Sequence, residues 1–359
     1  MFNRRAFAVT APWLLAACAD DGESYEAAVA NTWRSGALGG IDGEALLREL
    51  VRCATLAPSS HNTQCWKFGL QAQAITILPD FARRCPAVDP DDHHLFVSLG
   101  CAAENLVQAA LAHGLKAEPH FDADRDALRM SLQATAPSAS ALFAAIAQRQ
   151  STRAEYDGKP LSVDELRLLE RAAAGNGVQL LLLTERTALE RTLEFVVQAN
   201  TAQMNDKAFV DELKRWIRFS RSDAVRQGDG LYAASSGNPP LPSWLGRWIF
   251  DFVFTPESEN DKYARQVRSS AGVAVFIGPS NDKAGWIEAG RAYERFALQA
   301  TVLGVRTAHL NQPLEVASVR PQFASFVGAA DKRPDLVIRF GRGPVLPPSL
   351  RRPLRAVLV

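Results

Sequence analysis

Two stretches of this chain carry the same succession of signals, and that internal repeat constrains the fold more than any other feature. In the first, Leu46, Leu47, Leu50, Val51 and Ala54 form one helical stripe. A strand-like run from Ala74 to Leu78 follows, then a helix through Glu104-Asn105-Leu106-Val107 that ends at Gly114-Leu115. In the second, Ser162 and Glu165 form a capping box that opens a helix through Leu166 and Leu169. A strand from Val178 to Leu183 comes next, then a helix carrying Trp286, Ala289, Tyr293, Phe296 and Ala300 that ends at Gly304-Val305. Asp335 to Phe340 reads as a last strand before an Arg/Pro-rich tail.

The copies differ in length. Matching Arg52 with Arg171 and Glu104 with Glu294 gives separations of 52 and 123 residues, so the second copy carries about 71 more (123 − 52). The surplus falls mainly at residues 186–261, which include Gly228-Asp229-Gly230, Ser235-Ser236-Gly237-Asn238-Pro239-Pro240 and the aromatics Trp244, Trp248, Phe250, Phe252 and Phe254. An aromatic segment hinged by Gly and Pro reads either as a lid over a pocket or as elaborated surface.

A length of 359 residues accommodates two units, residues 42–140 and 141–359, and 47% apolar content supplies their cores. The net charge of +1 provides no broad field for nucleic acid, so any anion site has to be local. Five cysteines without CxxC spacing argue against a structural metal. Cys53 and Cys101 fall on apolar helix faces and read as buried thiols. Asp91-Asp92-His93-His94 reads as a solvated turn and helix cap.

Residues 1–18 combine Arg4-Arg5, an apolar run too short to span a bilayer, and Leu15-Ala16-Ala17-Cys18. This resembles a twin-arginine export signal followed by a lipobox, with Cys18 as the lipidated residue. It implies export to the periplasmic side and a lipid anchor to the membrane. Residues 19–41 read as a tether, before Asp42 caps the first helix.

Two motifs carry chemistry. In Arg149-Gln150-Ser151-Thr152-Arg153, alternate residues of an extended segment turn Arg149, Ser151 and Arg153 to one face, which suits a phosphate. In Ala57-Pro58-Ser59-Ser60-His61-Asn62-Thr63-Gln64-Cys65-Trp66, Pro58 stops a helix and a loop of neutral donors and acceptors follows. Such a loop can read a flat heterocycle. His61 beside Ser60 has no carboxylate orienter, which argues against a serine hydrolase.

These two motifs resemble the nitroreductase superfamily, with Cys65 where the flavin loop has a proline. In that superfamily each FMN site is built across a homodimer interface. Here the loop lies in the first half and the clamp in the second. Ala172-Ala173-Ala174-Gly175-Asn176-Gly177 stands where a second loop belongs, and Trp33-Arg34-Ser35-Gly36 where a second clamp belongs. The resemblance therefore implies an α+β chain of two fused halves, each an antiparallel or mixed sheet flanked by helices. They would form a monomeric intramolecular pseudo-dimer with one FMN site. Trp286-Ile287-Glu288-Ala289-Gly290, Asn311-Gln312-Pro313-Leu314-Glu315 and Arg351-Arg352-Pro353-Leu354 are similar to the Acg subfamily.

By this resemblance Arg149, Ser151, Arg153, Arg351 and Arg352 hold the phosphate. Pro58, Ser59, Ser60 and Asn62 line the isoalloxazine, and the backbone at Leu310 and Asn311 closes its other side. Gln64 and Trp66 brace the loop. The flavin performs the redox chemistry and no side chain is assigned a catalytic proton transfer. The implied partners are an electron donor, NAD(P)H or a quinol, and a small nitroaromatic or quinone acceptor. The other reading is a protein that sequesters flavin beneath a lid.

Overall fold

A computed structural model describes residues 23–36 and 39–359. The signal and Cys18 lie outside the described residues. Helix α1 (Tyr25–Thr32) occupies part of the stretch read as a tether, with Ser24 accepting from the Ala27 N–H at its start. Asp42 does begin the next helix, but its side chain makes no capping bond there.

The first half runs α2 (Gly43–Thr55), β1 (Trp66–Gln71), β2 (Ala74–Pro79), α3 (His93–Ala112), β3 (Leu115–Asp122) and β4 (Ala127–Ala134). Its four strands pair antiparallel in the order β1-β2-β4-β3. The second half begins with the short α4 (Ala141–Ala145), followed by α5 (Val163–Ala173), opened by the Ser162/Glu165 capping box, and β5 (Gln179–Leu183).

The insertion follows. It contains α6 (Arg186–Met204), α7 (Lys207–Trp216), β6 (Ile217–Arg218), α8 (Arg221–Gln227), β7 (Leu231–Tyr232), α9 (Ser243–Val253) and α10 (Pro256–Arg268). Then come β8 (Gly272–Ile277), α11 (Lys283–Val302), β9 (Arg306–His309), α12 (Gln312–Glu315), α13 (Arg320–Phe326) and β10 (Leu336–Gly341).

The second sheet pairs antiparallel in the order β5-β8-β10-β9. Counting each half's strands in chain order gives first-second-fourth-third both times, so the sheets repeat one topology. The insertion thus replaces a hairpin. Two residues join β1 to β2, whereas 88 (272 − 183 − 1) separate β5 from β8.

The long helices α3 and α11 pack against each other between the sheets. α3 is apolar and long enough to cross a membrane, yet 89% of its apolar window is buried inside the protein. Trp66, Phe96, Tyr293, Phe296 and Phe340 share one core with both helices, while Leu310, Val337 and Phe323 belong to a second core beneath α6.

The Asp91–His94 segment departs from the solvated turn that its composition suggests. His93 and His94 are buried in the first turn of α3. His93 Nε2 lies 2.7 Å from Asp335 Oδ1, and its ring packs edge-on against Trp286. Burial holds the His93 imidazole well below its ordinary pKa and raises the Asp335 carboxyl to about 7. The cap comes from Asp89, whose carboxylate accepts from the His94 and Leu95 N–H groups. Spacing alone could not show that β10 would bring Asp335 under α3. Cys53, Cys65, Cys85 and Cys101 are all buried free thiols.

Candidate functional site

The two motifs meet at one cavity between the halves. Two adjoining pockets make it up, a larger lobe of about 660 Å³ and a smaller one of about 460 Å³, with Pro58, Ser59, Arg153, Leu231, Ser236 and His309 lining both.

Arg149–Arg153 runs beside β9, with Ser151 bridging Thr307 and the Thr152 N–H donating to the Thr307 carbonyl. Extended backbone makes Thr152 face inward while Arg149, Ser151 and Arg153 line the smaller lobe. Arg306 and Arg351 join them, and no lining residue of that lobe is acidic among those described.

The C-terminus of α2 holds two of these cations. Arg351 donates to the Thr55, Leu56 and Ala57 carbonyls at 2.7, 3.0 and 3.2 Å, and Arg149 Nη2 donates to Leu56 O at 3.0 Å. These carbonyls carry the partial negative charge of a helix end. The Arg351 guanidinium also stacks over Trp33. Burial, then the neighbouring Arg149, pushes the Arg351 pKa down to about 9.

Glu294, from α11, lies 3.2 Å from Arg149 Nε and is fully buried. Burial outweighs the attraction of Arg149 and raises its pKa to about 7. Arg149 Nε and Nη1 and Arg306 Nε have no hydrogen-bond partner among the described residues. The lobe therefore concentrates guanidinium charge with no acidic lining residue among those described, a condition that suits an anion.

The loop after α2 is tightly wound. His61, Asn62 and Gln64 all adopt left-handed backbone (φ 48°, 52° and 54°), which costs energy for residues bearing a Cβ. Three sets of bonds hold it. Ser59 Oγ accepts from the Gln64 N–H, Asn62 Nδ2 donates to the Gly230 and Leu350 carbonyls, and Gln64 Nε2 donates to Gly228 O. The insertion approaches the loop backbone to backbone, with Gly230 N–H donating to Asn62 O. At Gly230 (φ 74°) a Cβ would stand 2.3 Å from Trp216 O, so only glycine fits.

The structure distributes the sequence-derived site residues unequally. Pro58 and Ser59 line both lobes, Ser60 and Asn311 the larger, and Asn62, Arg149, Ser151 and Arg351 the smaller. Leu310 turns its side chain into the second core, and its N–H donates to Val337 O, so it is not on the cavity wall. Arg352 is not on the cavity wall. Its N–H donates to Gln64 Oε1 and its guanidinium to the Gln64 and Ala356 carbonyls, so it braces the loop.

Sequence reasoning did not find His309, Tyr293 and Arg306. Tyr293 belongs to an apolar helical stripe and reads as core. His309 and Arg306 carry no motif, and only the pairing of β9 with β10 turns them to the cavity. His61 and His309 both line it as neutral imidazoles, their pKa values pushed down to about 4 and about 3 by burial and then by Arg153.

His61 also lies close to Cys85 and Glu212, with ligand atoms of the three within 4.8 Å of one another. Burial favours the neutral form of each, lowering His61 and raising Cys85 and Glu212. Both Glu212 oxygens already accept backbone N–H groups from Ala87 and Val88. Glu212 therefore ties α7 to the Ala87–Val88 backbone.

No protein-family model matches the chain. A Mycobacterium tuberculosis protein provisionally named as an NAD(P)H nitroreductase is 27% identical over 328 residues, covering 87% of this chain and 90% of that one. An uncharacterized protein of the same organism is 22% identical over 332 residues, covering 87% and 92%. Among solved structures, an FMN-bound nitroreductase from Bacteroides fragilis overlaps with a TM-score of 0.36 at 16% identity, over 56% of this chain and 88% of that one. The FMN-dependent nitroreductase NfnB from Mycobacterium smegmatis, in complex with NADPH, gives 0.38 at 14% identity, over 56% and 87%.

Proposed function

We propose that this chain is an FMN-dependent oxidoreductase of the nitroreductase superfamily, of the fused Acg-like type, exported by the twin-arginine route and anchored by lipid at Cys18. The observation that carries the reading is the pair of adjoining pockets to which the first half contributes a neutral polar loop and the second a guanidinium cluster. The name of the 27% identical relative points the same way.

The residues present fit FMN. Arg149, Ser151, Arg153 and Arg351 would hold the phosphate, with Arg306 adding a donor, because four guanidinium groups and a hydroxyl line a lobe with no acidic lining residue among those described, which suits a dianion. Pro58, Ser59, Ser60 and Asn62 would flank the isoalloxazine, with the backbone at Asn311 on its far side. Bound there, FMN would take two electrons from a reduced donor and pass them to a nitroaromatic or quinone acceptor. The chain's own contribution is binding, orientation and exclusion of water. His61 and His309 stay neutral near pH 7, so neither competes with the clamp for the anion.

The donor is NAD(P)H by the superfamily likeness, or a quinol where the exported protein lacks access to nicotinamide. The decisive experiment is an absorbance spectrum of gently purified protein, followed by anaerobic titration with NADPH and with a soluble quinol. A flavin spectrum that bleaches with either donor supports the proposal. Colourless protein that binds no added FMN overturns it.

One observation favours a second reading, a protein that holds flavin with little turnover. Gly246, Ile249, Phe250 and Val253 of α9 line the larger lobe, so the aromatic segment covers the cavity. Bound flavin that neither donor reduces would select that reading.

A further inference from the structure

We infer that the outer face of α9 beds into the interfacial layer of a lipid bilayer and holds the larger lobe of the cavity against the membrane. Trp244, Trp248 and Phe252 follow at every fourth position and so share one helix face. They are 73%, 64% and 69% exposed, more than any other large aromatic among the described residues. A contiguous aromatic face of this kind marks an interaction surface. Trp and Phe beside the exposed Arg247, with the Asp251 carboxylate on the same side paired to Lys214 at 2.7 Å, suits a helix lying at the level of lipid headgroups. The opposite face, through Gly246, Ile249 and Phe250, lines the larger lobe. Val253 belongs to both, since it lines the lobe and is 58% exposed. One helix therefore separates the cavity from whatever covers its outer side.

The path of the chain identifies that cover. In the first turn of α1, Glu26 pairs with Arg221 at 3.2 Å. Arg221 opens α8, and the Ser220 hydroxyl that caps α8 lies 3.1 Å from the hydroxyl of Ser243, the first residue of α9. The starts of α1, α8 and α9 are thus neighbours. Cys18 precedes the first described residue, Glu23, by five positions (23 − 18), a reach of at most about 18 Å when extended. A lipid on Cys18 would keep Glu23 within that distance of the bilayer, and with it the start of α1, which neighbours the start of α9. The tether alone would leave the domain free to pivot, and the aromatic face fixes which side meets the lipid.

This inference rests on the proposed lipid anchor but not on flavin binding. The test uses the full lipidated chain in phosphatidylethanolamine/phosphatidylglycerol vesicles, with tryptophan fluorescence quenched by lipids brominated near the headgroup. The parent is expected to show a quenched component that the conservative double variant Trp244→Phe/Trp248→Phe lacks, while both remain vesicle-bound and keep the same near-ultraviolet circular dichroism. Equal quenching of parent and variant would overturn the inference. So would cross-linking through α9 into a dimer within the vesicles, which would assign the face to a second copy. If the protein proves colourless but the quenching difference is found, the flavin reading fails and the membrane face stands.

Discussion

Gly100 of α3 and Gly290 of α11 make reciprocal contacts where the two long helices cross. A Cβ at Gly100 would stand 2.0 Å from Ile287 O, and one at Gly290 would stand 2.0 Å from Val97 O. Both contacts relate to each other by a shift of 190 residues (290 − 100 and 287 − 97), the same shift that relates Glu104 to Glu294. Residue i touching j′ while j touches i′ is how two copies meet across a two-fold axis. The halves of this chain therefore pack as an isologous dimer does, with α3 and α11 backbone to backbone.

Gly290→Ala should accordingly be severe. The neighbour that must give way is a backbone carbonyl inside a helix, so the halves have to separate along the crossing. The expected loss is about 3 kcal/mol or more, read as a fall in the urea midpoint with unchanged m. Stability within experimental error of the parent would show that the crossing does not hold the halves together.

Glu294 gives the fold a pH dependence of defined sign. Burial raises its pKa from 4.5 to about 7, so the folded state binds its proton more tightly than the unfolded chain does. That contribution is fully present below about pH 4.5 and is lost as pH rises through about 7. At 1.36 kcal/mol per pKa unit it amounts to about 3 kcal/mol at most. Glu294→Gln should flatten the stability profile of the flavin-free protein across this window. A variant whose profile parallels the parent from pH 5 to 7 would contradict the assignment.

Arg351 and Arg352 adjoin in sequence yet predict different phenotypes. Burial depresses the Arg351 pKa, so carrying that charge without an anion is costly and binding one is rewarded. Arg351→Met should weaken FMN binding by about tenfold or more, the worth of a charged hydrogen bond to phosphate. Arg352 braces Gln64, so Arg352→Met should lower the melting temperature while the Kd measured with refolded protein changes by less than about threefold. Equal effects on Kd would return Arg352 to the phosphate site.

The repeat was legible because it rests on helical stripes and strand runs, which are local. The identical strand order of the two sheets follows from it, and so does the placement of the 88 residues between β5 and β8 in one connection. The Pro58–Gln64 and Arg149–Arg153 segments stood out because each is a continuous motif, and both reach the same cavity. Residues that reach the cavity by tertiary pairing alone were not legible. His309 depends on β9 lying beside β10, and Asp335 turned an apparently exposed histidine pair into buried side chains. The different placements of Arg351 and Arg352 were not legible either, because an Arg-Arg pair does not reveal which side chain folds inward.

Gly246 decides whether α9 acts as a cover. A Cβ there would stand 2.5 Å from the Phe219 ring, and both residues line the larger lobe. Phe219 in turn packs edge-on against Phe250, which stacks on Phe254 at 4.5 Å, so the ring cannot move without disturbing the helix. Gly246→Val should lift α9 from the lobe at a cost of about 1–3 kcal/mol, the usual range for overpacking. With FMN bound, iodide quenching of flavin fluorescence should increase and turnover of bulky acceptors should rise. Lower stability with unchanged quenching and turnover would mean that α9 packs against the cavity without controlling access to it.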